Sequence, residues 1–208
     1  MLGVLVVALA HPLPPMYDWR EMYQHCSKPP EAAPLAEAWA HAAATTIARR
    51  LCMLRGTYRV VSYEQILNHT TVDDNLVRLW DRLGTMDLFT MDGMALRLED
   101  IHNIGHRDVE GIKQELMDNG PLHVVIPLDH GLFYHDGREM YEGGNGVPVG
   151  SHHVILIGWG VDEKGSPFWL LENTWGPTWG VNGCFQVPQM RWAMESVVAA
   201  FTPVVAAS

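Results

Sequence analysis

Basic residues are scarce in this chain: 14 Lys and Arg stand against 24 Asp and Glu, a formal net charge of -10 with a pI near 5.5. No run of Lys or Arg offsets this, so nucleic acid and anionic membrane surfaces are not expected as partners. Cysteine is nearly absent as well, with three residues in 208, far too few for a disulfide-dense scaffold. Long apolar runs are missing too. The most apolar stretch, residues 1–10, has half of the ~20 residues that cross a bilayer, so no transmembrane helix is expected. That stretch ends in an Ala-x-Ala-like tripeptide but lacks a basic n-region, and it reads as a packed strand or docking segment in preference to a cleaved signal. What the chain does have is apolar content, 48%, enough for the core of one compact unit of two lobes.

One stretch organises the rest. Residues 154–157 form a continuous apolar run closed by Gly158 and Gly160, and residues 168–171 form a second that ends at Glu172, Asn173 and Thr174. Both read as strands covered on two faces. Paired as an antiparallel hairpin about a turn at 162–165, they set the start of one opposite the end of the other, so His152 and Asn173 become neighbours. An amide oxygen beside an imidazole fixes its tautomer and orientation, and the indole of Trp175 laid over the pair keeps water from that bond.

Upstream, Pro29, Pro30 and Pro34 forbid a regular element and punctuate a helix start. Residues 35–55 are rich in strong helix formers, with Trp39, Ala43, Ile47 and Leu51 on one face of a buried central helix. Shorter helices are expected in 76–83 and 109–117, and strands at 122–127 and 197–207. His102 and His106 have the spacing of a metal pair, but Gly105 lies between them and no third ligand sits at motif spacing. Neither metal nor cofactor is expected. Cys184 reads as a small core residue.

Residues 151–186, with His152 opening a strand and NTWGPTWG at 173–180, resemble the C-terminal half of papain-like cysteine proteases. LPPMYDWR at 13–20 resembles the start of mature members, and Trp39-Ala40 aligns with the Trp-Ala after their nucleophile. Residues 39–42 are most similar to cathepsin X, and the placement of Cys26 and Cys52 is similar to a bridge in cathepsin B. The resemblance implies an α+β fold: a helical lobe, here residues 11–98, and an antiparallel β-barrel-like lobe, residues 99–208, behind the apolar segment 1–10. It implies a catalytic histidine at His152, an orienting asparagine at Asn173, a shielding indole at Trp175 and a disulfide between Cys26 and Cys52.

On the same alignment the nucleophile position falls on Ala38, and the glutamine that donates to the oxyanion falls on Ala32. Glu37 precedes Ala38, and a carboxylate at a helix N-terminus uses the field that would favour a thiolate. The family's substrate-holding glycine pair is missing after Asn68, and His152 follows Ala38 more closely than the ~130–150 residues of the papain group. These departures imply a catalytically inactive homologue kept for its fold. The leading expectation is a structural or accessory subunit of a larger assembly, with other protein subunits as partners. The alternatives are a peptide-binding or decoy module using the cleft between lobes, and an active peptidase if Ala38 replaces a natural cysteine. Departures at 32, 35, 36 and 37 argue against that last reading. Resemblance implies an endolysosomal or secreted location, while loss of the family's other cysteines opens an organellar one, such as a mitochondrial complex.

Overall fold

The computed structural model describes residues 12–73, 75–144, 147–192 and 194–206. The strand or docking segment expected at 1–10 lies outside the described residues. The chain begins with a two-residue strand, β1 (Tyr17–Asp18), and Asp18 then caps the short α1 (Trp19–Met22) by accepting from the Arg20 amide at 2.9 Å. Pro34 leads into one turn of 3-10 helix (Leu35–Glu37), and α2 (Ala38–Arg55) starts only after it. The helix therefore begins at Ala38 and not at Leu35, since the turn after proline closes first by a bond from the Glu37 amide to the Pro34 carbonyl. A left-handed Gly56, φ 72°, ends α2 by returning its amide to the Cys52 carbonyl at 2.7 Å.

Side-chain caps from Ser62 and Asn75 open α3 (Tyr63–His69) and α4 (Leu76–Gly84). There follow β2 (Leu88–Phe89), β3 (Ala95–Asn103), α5 (Val109–Asn119) capped by Asp108, β4 (Leu122–Leu128) and α6 (His130–Phe133). The chain closes with β5 (Gly150–Val161), β6 (Pro167–Glu172), β7 (Cys184–Pro188), a 3-10 turn (Met194–Ser196) and β8 (Ala199–Val205).

All pairings between these strands are antiparallel, in one sheet ordered β1-β5-β6-β7 with β4 also on β5, and a second ordered β2-β3-β8. Helices and antiparallel sheets together make a mixed α+β fold. β5 is the hub, apolar on both faces and paired on both edges. Its register with β6 sets Ile155 opposite Glu172, so β5 runs on past the end of β6 and His152 meets Asn173 just beyond it. Gly158 is required where β1 crosses: a Cβ there would stand 2.2 Å from the Tyr17 carbonyl oxygen.

Two apolar cores flank α2. Trp39, Ala43, Ile47 and Leu51 face one, joined by Trp80 of α4, Leu96 and Leu98 of β3 and Phe201 of β8. Trp80 and Phe201 stack at 4.1 Å, and burying each aromatic contributes about 1.5–3 kcal/mol. The larger sheet encloses the other core, with Trp19, Trp159, Trp169 and Phe185. Ala42, on another face of α2, meets Ile155 and Ile157 of β5. Packing crosses the 98/99 division in both directions, since β1 joins the larger sheet and β8 joins the core of α2. Among the described residues no helix is long and apolar enough to cross a membrane.

Candidate functional site

β6 ends at Glu172, and the Asn173 amide donates to the Gly183 carbonyl at 2.8 Å, which fixes the backbone from which the asparagine side chain projects. Asn173 Oδ1 accepts from the Thr174 amide at 2.8 Å and lies 2.7 Å from His152 Nε2. An amide oxygen has only lone pairs to offer, so Nε2 carries the proton. Trp175 covers the pair, its ring 4.7 Å from that of His152, and Phe133 stacks in parallel on the outer indole at 5.0 Å. His152 is 1% exposed. Burial pushes its pKa down to about 4 against the opposing pull of the Asn173 bond, with His153 adding to the depression, so the imidazole is neutral near pH 7.

Ala38 is the first residue of α2 and is 2% exposed, with Glu37 at the cap position making no side-chain cap bond. Ala32 reaches the other side of the same region, bridging Trp175 in an isolated antiparallel pairing, while the Ala33 amide donates to the Thr174 carbonyl at 2.7 Å. The loop before α2 is thus sewn to the turn that carries Asn173. His102 and His106 stay apart from this site. His102 Nδ1 lies 2.6 Å from the Asp100 carbonyl and His106 Nε2 3.4 Å from the Asn103 amide nitrogen. Among the described residues the one group of three metal-type ligands is His25, Cys26 and Cys52, and its two sulfurs are bonded to each other.

A family model described as papain family cysteine protease matches residues 89–200. The chain belongs to this family. Its curated relatives include cathepsin B-like CP1 of Giardia intestinalis, 25% identical over 88% of this chain and 70% of that protein. A viral cathepsin of Spodoptera litura multicapsid nucleopolyhedrovirus is 25% identical over 83% of this chain and 56% of its own length. Cathepsin B-like cysteine proteinase 6 of Caenorhabditis elegans reaches 40%, over 38% of this chain and 21% of that protein. Among solved structures, proCathepsin B S9 from Trypanosoma congolense superposes with a TM-score of 0.83 at 20% identity, covering 99% of this chain and 82% of that one. Procathepsin L 3 of Tenebrio molitor superposes at 0.75 with 15% identity, over 94% and 72%.

The sequence holds three cysteines. Cys26 and Cys52 are bridged, with Cα atoms 5.7 Å apart. Cys184 is buried beside Arg20, whose Nη1 lies 3.0 Å from its sulfur, and burial pushes the thiol up to about 12. Thr46, inside α2, spends its hydroxyl on the Ala42 carbonyl at 2.7 Å.

Sequence reasoning missed the ion pair next to Asn173. Arg49 of α2 and Glu172 of β6 meet at 2.7 Å with side chains 1% and 2% exposed. Arg50, its neighbour, pairs with Glu115 and lies over the Phe201 ring at 4.7 Å. Two adjacent arginines in an otherwise Ala- and Leu-rich buried helix were the available signal. Asp129 is a second omission: its carboxylate accepts from Tyr141 and from the Leu132 and Gly144 amides, tying α6 to the segment before β5.

Proposed function

We propose that this chain is a catalytically inactive papain-like protein that acts as a structural or accessory subunit of a larger assembly, partnered by other protein chains. One observation carries the reading: alanine opens α2, two of the three cysteines are bonded to each other, and the third, Cys184, is buried. Removing the nucleophile of a hydrolytic triad costs on the order of 10⁶ in turnover. Ala32 has no side-chain donor, and loss of one preorganised oxyanion donor costs about 2.7–4 kcal/mol of transition-state stabilisation. Glu37 places a carboxylate at the helix N-terminus, where it opposes a second anion. His152 and Asn173 then serve as a buried hydrogen bond that holds the β5–β6 hairpin under Trp175.

The test is the protein purified from its own source. The expected result is elution within a stable complex and no hydrolysis of fluorogenic dipeptides. Hydrolysis abolished by a thiol alkylator would overturn the loss of activity, and elution as a free monomer would overturn the subunit role. A peptide-binding module is the second reading, favoured by Phe133, 37% exposed and stacked on Trp175, and by its neighbour Tyr134, 89% exposed. Saturable binding of library peptides, lost in Tyr134→Ala, would support it.

A further inference from the structure

Between α2, the 28–31 loop, residues 58–63 and the end of β6 lies a cavity of about 500 Å³. Among the described residues, twelve buried side-chain polar atoms lack a hydrogen-bond partner, and five of them belong to residues lining this one cavity. They are His41 Nε2, Arg49 Nε and Nη1, Asn173 Nδ2 and Thr174 Oγ1. Native folds pair nearly all such groups with protein or ordered water, so a cluster of this kind marks a place where water or the polar atoms of a ligand belong. Arg49 Nε, Arg49 Nη1 and Asn173 Nδ2 can only donate, and they call for acceptor oxygens.

Glu172 does not supply them. Both of its oxygens, at 2.7 and 3.0 Å, are taken by Arg49 Nη2, which also donates to the Lys28 carbonyl. The guanidinium lies over the Trp19 ring at 5.4 Å, so its position is fixed. Nearer the surface, the Lys28 ammonium stands 5.8 Å from the Tyr58 ring centre and adds a second positive charge, and the exposed Glu31 lines the cavity as well.

We propose that this cavity binds a small organic carboxylate, whose oxygens accept from Arg49, Asn173 and Thr174 while an apolar or aromatic body lies against Tyr58. A bond from guanidinium to carboxylate is charge-assisted and about twice as strong as its neutral counterpart. Glu31 and Glu172 disfavour a dianion such as phosphate. Asn173 belongs to both sites, with Oδ1 toward His152 and Nδ2 left for the ligand, so occupancy is readable at the imidazole. The proposal does not depend on whether the chain is an active peptidase.

The probe is 3-phenylpropionate, titrated into the full chain by calorimetry and by NMR of the His152 ring, with 3-phenylpropionamide and inorganic phosphate as controls. Binding with a Kd of about 1 mM or tighter is expected, with the amide and phosphate weaker by about tenfold or more and the His152 resonance displaced. The paired variant Arg49→Met/Glu172→Leu exchanges the ion pair for apolar side chains of similar size, a kind of change folds tolerate, and it should weaken binding about tenfold. If that variant does not fold, Thr174→Val, which removes one hydroxyl at constant shape, should weaken binding about threefold. No binding at about 10 mM, equal binding of the amide or of phosphate, or affinity unchanged in the folded variant would each mark the cavity as filled by water alone and overturn the proposal.

Discussion

His152 gives the fold a dependence on pH that a salt-bridged histidine would not. Its folded pKa is about 4 against an ordinary 6.5, because burial disfavours the imidazolium. The unfolded chain therefore takes up the proton first as pH falls, and stability drains from pH 6.5 downward until the native residue also protonates near 4. At about 1.4 kcal/mol per unit, that gap is worth about 3 kcal/mol in all and about 2 kcal/mol between pH 7 and 5. His123, fully buried with Nε2 2.9 Å from His153 Nδ1, is held low by burial and by that neighbour, and it adds loss in the same direction. Against a total stability of about 5–15 kcal/mol, the effect is large. Urea unfolding followed by tryptophan fluorescence at pH 7 and 5 measures it, in the native sequence and in His152→Gln, whose amide does not titrate. The variant should start less stable at pH 7 but lose about 2 kcal/mol less on acidification. Equal losses in the two proteins would show that His152 is not held neutral in the fold, and the reasoning would fail.

Ala38→Cys combined with Ala32→Gln restores a thiol and an oxyanion donor, yet its turnover on a fluorogenic peptide should stay well below that of an active relative, because Glu37 still opposes the thiolate. Turnover within about tenfold of that relative would refute the role given to Glu37. Replacing Cys26 and Cys52 together by serine opens a loop of sequence separation 26 and should cost about 3.5 kcal/mol in urea unfolding. Arg49→Met alone strands the buried Glu172 carboxylate and should cost about 3–5 kcal/mol, whereas Arg49→Met with Glu172→Leu should be close to neutral by the same measurement.

The hairpin that joins His152 to Asn173 was legible because its information is local: two apolar runs, a turn between them ending in Gly165, and a register that follows from pairing them. The buried face of α2 was legible for the same reason, in its four-residue spacing. The start of α2 was misplaced by three residues, because the periodicity continues through a turn that Pro34 closes as a 3-10 helix. What stayed hidden depends on contacts between distant residues. Arg49 and Glu172 are 123 apart in sequence, and no pattern in either segment announces the other. Likewise, Ala32 could be aligned to a lost donor, but its bridge to Trp175 needs coordinates.

The position of β8 bears on when this protein becomes folded. Phe201 packs on Trp80, and β8 pairs with β3 across more than ninety residues of intervening chain. During synthesis α2, α4 and β3 leave the ribosome long before the strand that closes their core. Until residue 205 emerges, that half of the molecule holds an open apolar face and an unpaired strand edge, which are the features that recruit chaperones and seed aggregation. Completion of this core is therefore a late event in synthesis, and variants in β8 should reduce yield more than their cost in equilibrium stability would suggest.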